Sequence, residues 1–165
     1  MIQKLRQNLN RLLLFGIENA PPLIKRKVVL ANQISLSLFL IGIPTLIYFF
    51  YAFPHPAYLV SNVFVILLCF LGPFVNRKGY YNLSRISLCV LTTVAPGVLS
   101  LIDKVVILDD NIGVTMYYNP RFYLMTALLI PLLLFDFSEK GKLIFCLVLN
   151  AFFLFSFDWI DSQLE

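Results

Sequence analysis

The chain has 165 residues, 59% hydrophobic and 13% charged, with a mean hydropathy of +0.83 and a net charge of +4. A soluble domain carries about 45–50% apolar and about 25% charged residues, so water is the wrong solvent for most of this surface. The positive charge is spread between apolar segments rather than gathered in one patch, which points to anionic lipid headgroups and away from nucleic acid.

Ile2, Leu5, Leu9, Leu12 and Leu13 recur at helical spacing, with Lys4, Arg6, Gln7, Asn8 and Arg11 on the other side. Residues 1–20 are therefore expected to form a basic amphipathic helix ended by Gly16. It would lie on the cytoplasmic leaflet or pack on its own membrane domain. The apolar stretch 12–15 is too short for a signal-peptide core, and no small-residue cleavage site follows it, so the first segment is expected to stay. Pro21 and Pro22 break the chain before Lys25, Arg26 and Lys27.

Residues 21–165 are expected to hold five transmembrane spans, at about 28–53, 57–75, 83–102, 122–137 and 143–159, each near the roughly 20 residues a bilayer requires. Pro44, Pro96 with Gly97, and Pro131 are candidate bend points inside them. The turn Pro54-His55-Pro56 makes the first two spans an antiparallel hairpin. Thr92 and Thr93 can hide their hydroxyls by bonding back to their own helix carbonyls. The fourth span is the shortest and needs local bilayer thinning, a snorkelling Arg121 or an upstream extension. Before it, 105–108 and 114–118 are β-branched and aromatic around the turn formers Asp109, Asp110, Asn111 and Gly113. A small extracytoplasmic hairpin is expected there, with extension of the fourth span from Val114 as the alternative. The fold class is thus an all-α membrane protein: a bundle of about five transmembrane helices, an N-terminal amphipathic helix and a small hairpin.

Orientation follows from the cations. Lys4, Arg6, Arg11, Lys25, Arg26 and Lys27 precede the first span; Arg77, Lys78 and Arg85 lie between the second and third; Lys140 and Lys142 lie between the fourth and fifth. Only Lys104 and Arg121 fall in the other gaps. Excess Lys and Arg in short loops marks the cytoplasmic side. Lys25, Arg26, Lys27, Arg77, Lys78, Lys140 and Lys142 are the topology anchors. The expectation is a multi-pass protein of the bacterial cytoplasmic membrane, N-terminus inside and residue 165 outside.

Few residues suggest chemistry. Asn150 is the most central strongly polar residue of a span; it either lines a pocket or makes an interhelical hydrogen bond. Ser156, Asp158 and Asp161 lie further along the same segment and could complete a polar pocket opening outward. Asp109-Asp110 and Asp158 with Asp161 could hold a hard cation, against the plainer reading of solvated acidic ends. His55 is the only histidine, which excludes bis-His haem ligation. Cys69, Cys89 and Cys146 all fall in apolar segments and are read as small packing residues. No catalytic residue, metal site or cofactor is assigned, since the chain has no nucleophile elbow, zinc-protease helix or phosphate-binding loop.

Residues 23–34, Leu-Ile-Lys-Arg-Lys-Val-Val-Leu-Ala-Asn-Gln-Ile, resemble the opening of multi-span sensory modules that precede histidine kinase or nucleotide cyclase domains in Bacteroidetes-type bacteria. Residues 132–140, Leu-Leu-Leu-Phe-Asp-Phe-Ser-Glu-Lys, are similar to the turn between their fourth and fifth spans. The resemblance implies an inner-membrane sensory module with the lipid bilayer, a second copy and an effector domain in cis as partners. Such modules have six spans, so this chain would be cut short before the sixth or would work without an effector. Other readings are a small oligomeric transporter or channel subunit, with Pro-broken spans around Asn150, and a lipid-acting membrane enzyme using Asp158 and Asp161.

Overall fold

A backbone segment that leaves water must satisfy its own N–H and C=O groups, and an apolar stretch achieves this as a helix. In the computed structural model, which describes residues 2–52, 56–107 and 114–163, every regular element is helical. The helices are α1 (Ile2–Leu13), α2 (Lys25–Ala52), α3 (Pro56–Arg77), α4 (Tyr81–Ile107), α5 (Val114–Ala127), α6 (Leu129–Leu134) and α7 (Lys140–Gln163). Single 3₁₀ turns at Pro22–Ile24 and Phe137–Glu139 lead into α2 and α7.

Among the described residues, three stretches are long and apolar enough to cross a membrane: Pro22–Tyr51, Leu59–Arg77 and Tyr81–Leu99. A fourth exists if Arg121–Leu134 and Phe137–Ser156, bent by 105° at their break, count as one span. The expected hairpin is replaced by helix on both flanks. Residues 105–107 end α4 and residues 114–118 begin α5, while 108–113, with Asp109 and Asp110, lie outside the described residues. Two isolated strands would leave unpaired backbone groups on each edge. Continuing the adjacent helices avoids that cost and overrides local β preference. Starting at Val114 also lengthens the short fourth segment.

By contacts the chain divides into two units, Met1–Leu88 and Cys89–Glu165. In the first, α2 and α3 run antiparallel, and their register can be read pair by pair. Asn32 meets Asn76, Ser35 meets Gly72, Phe39 meets Phe70 and Gly42 meets Ile66, so positions rise along α2 as they fall along α3. Small residues bring the two backbones together, as is usual where no hydrophobic force acts between helices in lipid. A β-carbon on Gly72 would lie 2.5 Å from the Ser35 hydroxyl, and one on Gly42 would lie 2.6 Å from Ile66 Cγ1. The Ser84 hydroxyl donates to the Gly72 carbonyl at 3.2 Å and brings the start of α4 to the same seam. This register puts Lys25-Arg26-Lys27 and Arg77-Lys78 at one end of the pair.

In the second unit, Leu124, Ala127, Pro131 and Leu134 form the buried stripe of α5 and α6, and Leu143, Cys146 and Asn150 that of α7. Both stripes follow helical i, i+3, i+7 spacing. Thr92 and Thr93 both donate to the Cys89 carbonyl, at 3.0 and 2.9 Å, and so hide their hydroxyls inside α4. The partition of surface is inverted relative to a water-soluble protein. Asn32, Asn76, Arg85, Thr93 and Asn150 are buried, while Leu40, Ile43, Val60, Phe64, Leu67 and Leu71 are exposed. Contiguous exposed apolar surface of this kind fits acyl chains.

The Ser35–Gly72 contact leaves no room for growth, whereas nothing lies within 4 Å of a β-carbon built on Gly141. Gly72→Ala is expected to lower stability by about 1–3 kcal/mol through overpacking. Gly141→Ala is expected to be neutral or to stabilise by up to about 1 kcal/mol. Thermal unfolding of the two variants in detergent compares them directly.

Candidate functional site

The polar groups of the first unit converge at the end of α2 and α3 that carries both basic runs. A helix leaves its last four carbonyls without intrahelical donors. At the end of α1 the Leu14 N–H serves the Asn10 and Arg11 carbonyls and the Phe15 N–H serves that of Leu12, all at 3.2 Å, so the Leu13 carbonyl is the one that needs a donor from elsewhere. Asn32, two turns into α2 and fully buried, provides it. Its Nδ2 donates to the Leu13 carbonyl at 3.0 Å and the Phe15 carbonyl at 3.1 Å, with the Leu12 carbonyl at 3.5 Å. Its Oδ1 accepts from Asn76 Nδ2 at 2.7 Å. One neutral side chain therefore ties three helices together, using both its donors and its acceptor.

The chain between α1 and α2 is shaped to reach this point. Gly16 has φ +82, the left-handed region that favours glycine, and a β-carbon there would overlap the Asn76 carbonyl. Phe15 packs edge-on against Phe74 with centroids 5.6 Å apart, and Phe70 continues the aromatic run at 5.2 Å from Phe74. The Arg77 guanidinium lies 5.0 Å from the Phe15 ring centroid, within cation–π range. Gln7, Asn8, Asn10 and Arg11 are exposed on α1, and Leu12 and Leu13 are half-buried. Arg85, expected among the inner loop cations, lies instead inside α4, fully buried, and donates to Asn82 Oδ1 at 2.6 Å.

A second polar lock closes the other unit. Proline has no N–H, so Pro131 cannot donate to the carbonyl four residues earlier, and its ring crowds that carbonyl. The helix breaks there: α5 stops at Ala127 and α6 begins at Leu129. The Ala127 carbonyl accepts instead from Asn150 Nδ2 of α7 at 3.0 Å. Asn150 thus supplies the hydrogen bond that Pro131 removes, and it is 1% exposed. Its Oδ1 is buried with no hydrogen-bond partner among the described residues, so the bond to Ala127 is the contact that orients it.

Of the other pocket candidates, Ser156 is the one whose side chain is described, and it turns away from Asn150. Ser156 donates to the Phe152 carbonyl of its own helix at 2.6 Å. Six residues beyond Asn150 at 3.6 per turn, it points about 120° away. The side chains of Asp158 and Asp161, and all of His55, lie outside the described residues. Pro44 and Pro96 are accommodated inside continuous α2 and α4. Gly97 is buried, with Phe153 3.9 Å from where a β-carbon would stand. Lys142 pairs with Glu139 at 2.8 Å at the start of α7, and Lys140 is exposed beside it. All three cysteines are free and buried, and the Cys146 thiol hydrogen-bonds with that of Cys89.

Sequence reasoning singled out Asn150 but passed over Asn32 and Asn76, which do comparable work. The available signal was a carboxamide inside an apolar stretch, by default a functional or structural focus in lipid. Comparison with protein-family models, curated proteins and solved structures finds no match.

Asn32→Leu is expected to free α1. Amide exchange and proteolysis within residues 2–16 should rise sharply while α2 and α3 stay protected, as followed by hydrogen-exchange mass spectrometry. Asn150→Leu is expected to cost about 1–2 kcal/mol, the upper range for hydrogen bonds between membrane helices. In a Pro131→Ala background that cost should fall by about 1 kcal/mol, because residue 131 then has its own N–H for the Ala127 carbonyl. A double-mutant cycle of unfolding free energies reads the coupling.

Proposed function

We propose that this chain is the membrane-embedded input module of a sensor in a bacterial cytoplasmic membrane, with five crossings, its N-terminus inside and residue 165 outside. The observation that carries the proposal is the Asn32 junction. The hydrogen bonds of one side chain hold the interfacial helix α1 to the ends of α2 and α3. A displacement of α2 against α3 breaks or re-aims those bonds, so a change within the bilayer is reported at the basic face. Two packings separated by a few kcal/mol are enough for a stimulus that favours one of them to shift the population.

The alternation of cations supports the orientation, and the placement of both basic runs at one end of the α2–α3 pair agrees with it. The proposed count takes Val114–Leu134 and α7 as two crossings rather than as one bent span, and at about 1.5 Å per residue Val114–Leu134 has a length of about 30 Å. The 3₁₀ turn at Phe137–Glu139 then opens the fifth. The polar side chains just described join helices to one another or bond within their own helix. That pattern favours a packing switch over a solute path or a lipid-cleaving site. The partners proposed are the bilayer, a second copy, and an effector domain joined in cis after a sixth crossing.

Reporter fusions after Lys78, Asp110, Gly141 and Glu165 are expected to read inside, outside, inside, outside. The coding DNA beyond Glu165 is expected to continue into a further apolar segment and a kinase or cyclase domain. A cytoplasmic reading at Glu165 would overturn the five-crossing count, and a stop codon there would overturn the sensor reading.

A further inference from the structure

A cleft of about 410 Å³ opens where the chain leaving α1 passes the end of α3, and Arg11, Phe15, Glu18, Asn19 and Arg77 line it. The volume falls in the range of small-molecule sites, about 300–1,000 Å³. Its charge is two guanidinium groups against one carboxylate. Guanidinium forks match phosphate oxygens in shape and charge, and the net single positive charge balances a phosphodiester.

The wall of the cleft is fixed before any ligand arrives. The Phe15 carbonyl is held by Asn32 at 3.1 Å and its ring by Phe74, so the ring under Arg77 has little freedom. A cation–π contact does not consume the N–H donors of Arg77 as a carboxylate would. Arg11 is exposed and has no carboxylate partner among the described residues. Such preorganisation lowers the ordering cost of binding. The location is also informative. The cleft lies where apolar α3 meets its basic end, which is headgroup depth if α2 and α3 cross the bilayer. Leu14, 58% exposed on the cleft rim, offers apolar surface beside the charge.

We infer that this cleft binds the phosphate of a phospholipid headgroup, with the phosphate on Arg11 and Arg77 and a headgroup hydroxyl or ammonium donating to Glu18. The site needs α2 and α3 to cross the bilayer but does not need the chain to be a sensor. A soluble phosphate has the same chemistry at the arginines but gains nothing from Leu14.

Native mass spectrometry of the full chain in detergent tests the inference, with phosphatidylglycerol and inorganic phosphate as separate probes. Phosphatidylglycerol is expected to give one saturable adduct per chain. Arg11→Gln with Arg77→Gln should weaken it at least tenfold, which is about 1.4 kcal/mol. Lys140→Gln with Lys142→Gln makes the same charge change elsewhere and should leave the adduct intact. If the arginine pair variant does not fold, Arg11→Gln alone, on the exposed face of α1, gives the same reading with a smaller loss. Inorganic phosphate that displaces the lipid at millimolar concentration would keep the phosphate site and assign it a soluble ligand. An adduct insensitive to the arginines, or equally sensitive to the lysines, would overturn the site. A wrong crossing count would instead appear in the reporter fusions, which are read on the unsubstituted chain.

Discussion

The carboxamide of Asn32 is the contact on which the first unit depends. A helix end brought against apolar helices carries carbonyls that no water can reach, and each unsatisfied group costs several kcal/mol in lipid. Beyond α1 the chain passes through Gly16, which allows close approach to Asn76, and there Asn32 serves the Leu13 and Phe15 carbonyls. Every other contact at this junction, Phe15 on Phe74 and Arg77 over Phe15, requires the chain already to be held there. The aromatic contacts add area, but the hydrogen bonds fix position, because dispersion alone tolerates sliding and a short N–H···O bond does not.

The second unit meets the same constraint from inside a helix. Pro131 destroys one backbone bond, and in water that carbonyl would be solvated at small cost. Buried beside α7, it selects a donor at the facing position, and Asn150 is that donor. The pairing explains why a strongly polar residue can sit near the middle of an apolar helix without lining a pore. Pro44 and Pro96 leave their helices continuous, whereas α5 and α6 part just before Pro131. A freed carbonyl can be served locally by a small helix adjustment, whereas one served from another helix is drawn toward that helix.

Much of this architecture was legible in the sequence because it follows from composition and periodicity. Apolar runs of adequate length gave the helices, and Pro21-Pro22 separated α1 from α2. Thr92 and Thr93, hydroxyls in an apolar run, were expected to bond back to their own helix, and both donate to the Cys89 carbonyl. The misread segments were those where local propensity and environment disagree. Val105 to Ile107 and Val114 to Tyr118 favour strands by side-chain shape, yet the backbone there is helical, since a two-stranded hairpin would leave both of its outer edges unpaired. Arg85 was counted with the inner cations although it falls two residues inside the expected third span, and in the structure it lies within α4 and is buried. The Asn32–Asn76 bond was illegible for a different reason. It joins residues 44 positions apart, and only the register of α2 on α3 reveals that they are opposite one another.

Asparagine is the residue suited to both locks. An aspartate in place of Asn32 would carry no donor for the carbonyls of α1, and its charge would be expensive to bury. A lysine would donate but could not accept from Asn76. A serine has one donor on a short side chain, enough to bond back along its own helix, as Ser156 does, but not to bridge three chain segments. The carboxamide is neutral, carries two donors on one nitrogen and an acceptor on the other arm, and holds them in a plane. Among apolar helices, where charge and unpaired polar groups are costly, it joins a helix end to a helix interior at low electrostatic cost. Lys25, Arg26, Arg77 and Lys78 are left for the ends of the helices, where water and phosphate are within reach, while Arg85 is buried within α4.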